Sequence, residues 1–190
     1  MSVSWHQQVK DGNRETLINK GRELFIKKKF NNVSLKEICA AAGLSKVTFY
    51  KSFTSIDELV FAIQEGIFRD FDDYLRKNVS REGRGIDDLK SYLMALMKFS
   101  VEMPGSIQFI GYFDYIYRDD ISDVSLRVNY KKLLKQSFFV NFLHECIDKG
   151  LSDGSIILKH SISASVAFII EIFMSMIQRV TIKGHYLVQE

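Results

Sequence analysis

Between Ser45 and Phe53 the chain reads Ser-Lys-Val-Thr-Phe-Tyr-Lys-Ser-Phe. In a helix, at about 100° per residue, Phe49 and Phe53 fall on one stripe and suit burial. Lys51, Val47 and Thr48 then point most directly away from that stripe, with Tyr50 and Ser52 on its flanks. The outward face offers a cation, an apolar group and hydroxyls. That set complements the donors, acceptors and thymine methyls lining a DNA major groove. A well-aligned Lys51 could donate to guanine O6 and N7, worth about 1–3 kcal/mol of base discrimination.

Other chemistries find little support. His6, His144, His160 and His185 are scattered, and no carboxylate pair or nucleophile–base spacing emerges. No phosphate-binding glycine loop or metal motif is present. Cys39 and Cys146 sit in apolar, helix-like surroundings without metal-ligand spacing, which reads as buried free thiols in a reducing compartment. No catalytic residue, metal or cofactor is expected.

A short outward face needs rigid neighbours, and the flanking sequence supplies them. From Arg14 to Phe30, apolar offsets of three and four at Leu17, Ile18, Gly21, Leu24 and Phe25 define one helical face. Asn31-Asn32 breaks it. Ser34 and Glu37 form a capping box that opens a short helix running to about Ala42. Gly43 is placed to end that helix in the left-handed conformation. Ser45 caps the next, and a second capping box, Ser55 to Glu58, opens a longer helix to about Lys77. Two short helices joined through a glycine turn form a helix-turn-helix candidate.

Further on, Ser80 to Gly85 reads as a loop. Helices are expected from about Asp87 to Glu102 and from about Ser122 to Lys149, where Gly150 would end the helix, and the stretch Ile107 to Tyr117 between them is unusually aromatic. Pro104-Gly105 and Asp119-Asp120 mark breaks, and Ser152-Asp153-Gly154 a turn before a last helix at about His160 to Lys183. With one proline in the chain and no β-hairpin signal, the fold class is all-α, with eight or nine helices. Met1 to Lys10 holds no apolar stretch for a signal peptide. Ser163 to Ile177 is interrupted by Glu171 and is too short to span a bilayer. A cytoplasmic protein without membrane contact is expected.

Charge is uneven. Residues 1–55 hold ten Lys/Arg and four Asp/Glu, whereas residues 56–190 hold sixteen and nineteen. A net of +6 on the first part and −3 on the second suits a polyanion-binding head on a mildly acidic body, although a solvated basic surface without a partner has the same signature.

Residues 33–59, VSLKEICAAAGLSKVTFYKSFTSIDEL, resemble the DNA-binding signature of TetR-family transcriptional regulators. The match is carried by Ser34, Ile38, Ala42-Gly43-Leu44, Ser45-Lys46, Thr48-Phe49-Tyr50, Phe53 and Asp57-Glu58-Leu59. The preceding helix, with Gly21, Phe25 and Phe30, also fits. The resemblance implies an N-terminal three-helix helix-turn-helix DNA-binding domain over 1–55 and a C-terminal helical ligand-binding and dimerisation domain over 56–190. It implies phosphate contacts from Thr48, Tyr50 and the groups around Ser34 and Lys36, with Lys46 on backbone or base. Val47 and Lys51 are the candidates for base reading. For Ser34 and Ser45, capping comes first and phosphate contact second. Many members carry lysine where this chain has Ile56, which cannot form that ion pair.

The resemblance further implies a palindromic double-stranded operator, a homodimer built on the last two long helices (about 130–149 and 160–182), and repression relieved by an effector. Ile162, Val166, Ile169, Ile170, Phe173, Met174 and Ile177 give the last helix more apolar surface than a monomer would comfortably expose. Tyr92, Phe99, Phe109, Tyr112, Phe113, Phe138, Phe142 and Phe168 are candidate lining for a small apolar or aromatic effector, against ordinary core packing. Met94, Met103, Tyr115, Tyr117 and Phe139 enrich the same regions. Asp114 and Glu171 could face a cationic ligand, against surface or helix-end roles. The alternative function is a helical protein-interaction module without DNA binding. It leaves the basic head unexplained.

Overall fold

The computed structural model describes residues 5–30, 33–117 and 123–183. The described residues form nine helices and no strand. They run α1 (Trp5–Lys28), α2 (Leu35–Ala42), α3 (Lys46–Ser52), α4 (Ile56–Asn78), α5 (Gly85–Glu102), α6 (Pro104–Ile116), α7 (Val124–Gln136), α8 (Phe138–Ser152) and α9 (Ile162–Lys183). The expected breaks at Asn31-Asn32 and Asp119-Asp120 lie outside the described residues.

Helix α4 is the spine. Its amphipathic sequence buries Leu59, Ile63, Ile67, Phe71 and Leu75, and it packs on α1 at one end and on α5, α6, α7 and α8 along the rest. Helix α1 starts nine residues before the expected Arg14. Apolar periodicity could not reveal this, because Leu17 is the first buried residue among Gln7 to Leu17. The helix ends without glycine. Lys29 and Phe30 both take the left-handed conformation, at φ +51° and +63°, and the Phe30 amide donates back to the Phe25 carbonyl at 3.0 Å. The Phe30 ring lies 4.8 Å from both Phe25 and Phe109, which holds this unfavourable backbone in place.

Two boundaries differ from expectation. The single helix expected from Ser122 to Lys149 is broken at Ser137, whose backbone is extended (φ −68°, ψ 147°). Asp72 of α4 accepts hydrogen bonds from the Phe138 and Phe139 amides at 2.8 and 2.9 Å. A carboxylate 66 residues away in sequence thus caps α8. Gly150 does not end a helix. It lies inside α8, where a Cβ on Gly85 would strike its backbone, so the pair lets α5 and α8 meet closely. The left-handed turn falls instead at Gly154, φ +73°. Nearby, Lys149 reaches the buried Asp88 carboxylate at 2.7 Å.

Helix α9 is longer than the apolar stretch first identified. Ile162–Thr181 is long and apolar enough to cross a membrane by length and composition, which corrects the expectation that it falls short. Val166, Met174 and Ile177 face the core, whereas Phe168, Ile172, Met176 and Val180 form an exposed apolar stripe.

Candidate nucleic-acid interface

The head is assembled by local hydrogen bonds that the sequence foreshadows. The Ser34 hydroxyl accepts from the Glu37 amide at 3.3 Å, and the Ser34 amide donates to Glu37 Oε2 at 3.0 Å. Lys28 of α1 also donates to the Glu37 carboxylate. That bond, followed by those from Ser34, lowers the Glu37 pKa to about 2. Gly43 takes φ +65° and ends α2. Ser45 then caps α3 by accepting from the Thr48 amide at 3.0 Å. At the head of α4 the Ser55 hydroxyl accepts from the Glu58 amide, but the Glu58 carboxylate reaches Thr54, not Ser55.

Helix α3 is held by its phenylalanines. Phe49 and Phe53 are buried, with ring centroids 5.7 Å apart. The Arg14 guanidinium lies 4.8 Å above the Phe53 ring. On the other side Val47 is 67% exposed and Tyr50 59%. Ser34, Lys36, Ser45, Lys46 and Lys51 are exposed as well. Thr48 is half-buried, its hydroxyl 2.9 Å from that of Ser45. Ile56 packs against the core, so its side chain serves the fold. Among the described residues, Lys36, Lys46 and Lys51 have no carboxylate partner, whereas Lys20, Arg22 and Lys28 are paired to Glu23, Asp70 and Glu37. Lys46 and Lys51 thus stand as unpaired cations on α3 itself, with Lys36 on the preceding helix.

One feature of the head was not legible from apolar periodicity. The early turns of α1 run beside α3, and Val9, Lys10 and Asn13 share an open cleft of about 420 Å³ with Thr48, Lys51 and Ser52.

A second cavity, of about 400 Å³, lies in the body among α4, α6, α7, α8 and α9. Its aromatic wall comprises Phe61, Phe68, Phe113, Tyr117, Tyr130 and Phe139. Asp114, Glu171, Arg127 and Lys131 also line it. Of the eight candidate lining residues only Phe113 belongs to this wall. Tyr92, Phe99, Phe138 and Phe142 fill the core around α4, α5 and α8, where the Tyr92 hydroxyl donates to the Phe139 carbonyl at 2.7 Å. Phe109 and Tyr112 pack on Phe30 at the junction with α1. Phe168 is 66% exposed on α9. Helical spacing could not distinguish these fates, because aromatic residues on successive turns pack equally well into a core or around a void.

The Tyr130 hydroxyl accepts from Gln64 at 2.9 Å, and burial raises its pKa. The Tyr117 hydroxyl donates to Asp57 Oδ1 at 2.7 Å. Burial, and then that bond, raise the Tyr117 pKa. Tyr117 therefore joins the cavity wall to the first turn of α4, four residues beyond Phe53.

Residues 17–63 match the sequence profile of the bacterial regulatory proteins of the tetR family. Among solved structures, the chain is similar to a TetR family transcription regulator from Marinobacter aquaeolei VT8, with TM-score 0.67, 18% identity, and 97% of this chain and 91% of that one covered. It is similar to the fatty acid degradation regulator FadR from Bacillus halodurans, with TM-score 0.70, 14% identity, and coverage of 90% and 84%. It is also similar to the transcriptional regulator FadR from Bacillus subtilis, solved with stearoyl-CoA, with TM-score 0.68, 15% identity, and coverage of 89% and 87%. At these identities the likeness speaks to the fold. No curated protein matches the sequence.

Proposed function

We propose that this chain is a DNA-binding transcriptional regulator of the TetR family, acting as a homodimeric repressor released from a palindromic operator by a small molecule; the family match over residues 17–63 supports this reading. The observation that carries the DNA reading is the outward face of α3, where Lys46, Val47, Tyr50 and Lys51 stand exposed over two buried phenylalanines. A seven-residue helix anchored in this way fits a major groove. In this reading Val47 and Lys51 meet base edges. Thr48, Tyr50, Ser34, Lys36 and Ser45 meet phosphates, and Lys46 reaches either. Residues 1–55 bind DNA, and residues 56–190 dimerise and sense.

The second copy is assigned to α8 and the exposed stripe of α9. An apolar stripe through Phe168, Ile172, Met176 and Val180 needs cover, and two-fold pairing supplies it while presenting two heads to one duplex. This reading of α9 is preferred to a membrane span and goes with a cytoplasmic location.

The effector site is the aromatic cavity. Its six rings suit an apolar or aromatic molecule, and Asp114, Arg127, Lys131 and Glu171 add charged groups for a polar end; the Bacillus subtilis neighbour was solved with stearoyl-CoA, which joins an apolar chain to a polar group. A ligand displacing the Tyr117 ring disturbs the bond to Asp57 and so the start of α4. For release, the effector must bind the DNA-incompetent arrangement more tightly. The test is duplex titration at fixed salt. Tyr50→Ala or Lys46→Ala should weaken operator binding and leave thermal unfolding unchanged. Unaltered binding by both variants would refute the α3 assignment.

A further inference from the structure

We propose that the first turns of α1 form a second DNA-binding element, in which Lys10 meets a backbone phosphate beside the groove occupied by α3. The inference rests on the DNA-binding reading above and adds a contact that reading lacks.

Three observations carry it. First, α1 extends well past its own packing. The helix begins at Trp5, yet none of Gln7 to Thr16 is buried. At 1.5 Å per residue, about 18 Å of helix lies ahead of Leu17. These turns continue the packed part of α1 and lie beside α3, where Arg14 rests on Phe53. Second, the extension flanks the groove-facing helix. Lys10 and Asn13 share one cleft with Thr48 and Lys51. Packed helices sit 8–10 Å apart, and a B-DNA major groove is about 12 Å wide. A helix lying beside one inserted in the groove therefore comes over the phosphates on its edge. Third, the charge is uncommitted. Among the described residues, Lys10 is exposed and has no carboxylate partner. The neighbouring Asp11 accepts from Gln7 at 2.8 Å and lies about 100° round the helix from Lys10. The cleft itself is lined by Lys10, Lys51, Asn13, Thr48, Ser52 and Val9, with no acidic group among them. This is the chemistry of a phosphate seat.

The test is the salt dependence of full-length protein binding to a 30-base-pair duplex selected by the wild type from random-sequence DNA. Each lysine–phosphate contact contributes about 0.9 to the slope of log K against log salt. In a dimer, Lys10→Ala should lower the slope by about 1.8 and weaken binding several-fold per subunit at 0.1 M salt. Lys10→Arg should restore both. Lys90→Ala, an exposed lysine on α5 remote from the head, should change neither. Circular dichroism should show the helix intact, since alanine favours helix. A Lys10→Ala slope and affinity equal to wild type, with the duplex still bound, would overturn the α1 contact and leave the regulator reading standing. Absence of salt-dependent duplex binding by the wild type would overturn both.

Discussion

Replacing Tyr117 by phenylalanine isolates one hydrogen bond between the aromatic cavity and the N-terminal head. The ring would keep its neighbours Phe61 and Phe113, at 5.3 and 5.0 Å, and only the 2.7 Å bond to Asp57 would go. A hydrogen bond to a charged partner contributes about 1.5–3 kcal/mol net. Both residues are half-buried, so the lower end applies, about 1.5 kcal/mol. Urea unfolding at pH 7 of wild type, Tyr117→Phe, Asp57→Ala and the double variant should give a coupling energy near that value with an unchanged denaturant slope.

The alkaline limb provides a second readout. The folded pKa of Tyr117 is raised above its usual 10. Its contribution is therefore complete below pH 10 and is lost as pH climbs from there towards the folded pKa. Tyr130 is raised in the same direction, so the phenylalanine variant should lose stability above pH 10 less steeply than wild type, not become flat. In the effector-free protein, loosening the first turn of α4 should weaken duplex binding by up to about tenfold, the equivalent of 1.4 kcal/mol. Single-variant effects that add to within about 0.3 kcal/mol would refute the link from cavity to head.

Other perturbations probe the interface and the local structure. In the proposed two-fold dimer, Ile172→Glu would place a charge in the α9 stripe twice, at several kcal/mol per unpaired buried ion; sedimentation should show wild-type dimers and variant monomers at micromolar concentration, and an unchanged variant dimer would remove α9 from the interface. Glu37→Gln should abolish an acid-labile part of head stability. With its pKa lowered to about 2, Glu37 contributes fully above the ordinary carboxylate range, and the contribution fades as pH falls from about 4.5 towards 2. Acid titrations of the two proteins, followed by circular dichroism, should therefore differ in that window. Lys29→Gly should raise stability by about 0.5 kcal/mol, as relief of a left-handed lysine outweighs the added chain entropy of glycine; a lower urea midpoint would show that the φ of +51° carries little strain.

The head was legible in the sequence because its determinants are local. Ser34 with Glu37, Gly43 and Ser45 act on amides and carbonyls within a few residues of themselves, and Phe49 with Phe53 sets the buried side of α3 by angle alone. The all-α class followed from the same short-range rules. The body was decided by contacts that local patterning does not encode. Asp72 breaks the chain at Ser137 from 66 residues away, and Gly150 serves the crossing with Gly85 instead of a helix end. Which aromatic residues line a cavity depends on where five helices fail to meet, so Phe61, Phe68 and Tyr130 wall it while Tyr92 and Phe99 fill the core. The early turns of α1 stayed hidden for a related reason: from Gln7 to Thr16 no residue is buried, and such a stretch leaves no apolar rhythm to read.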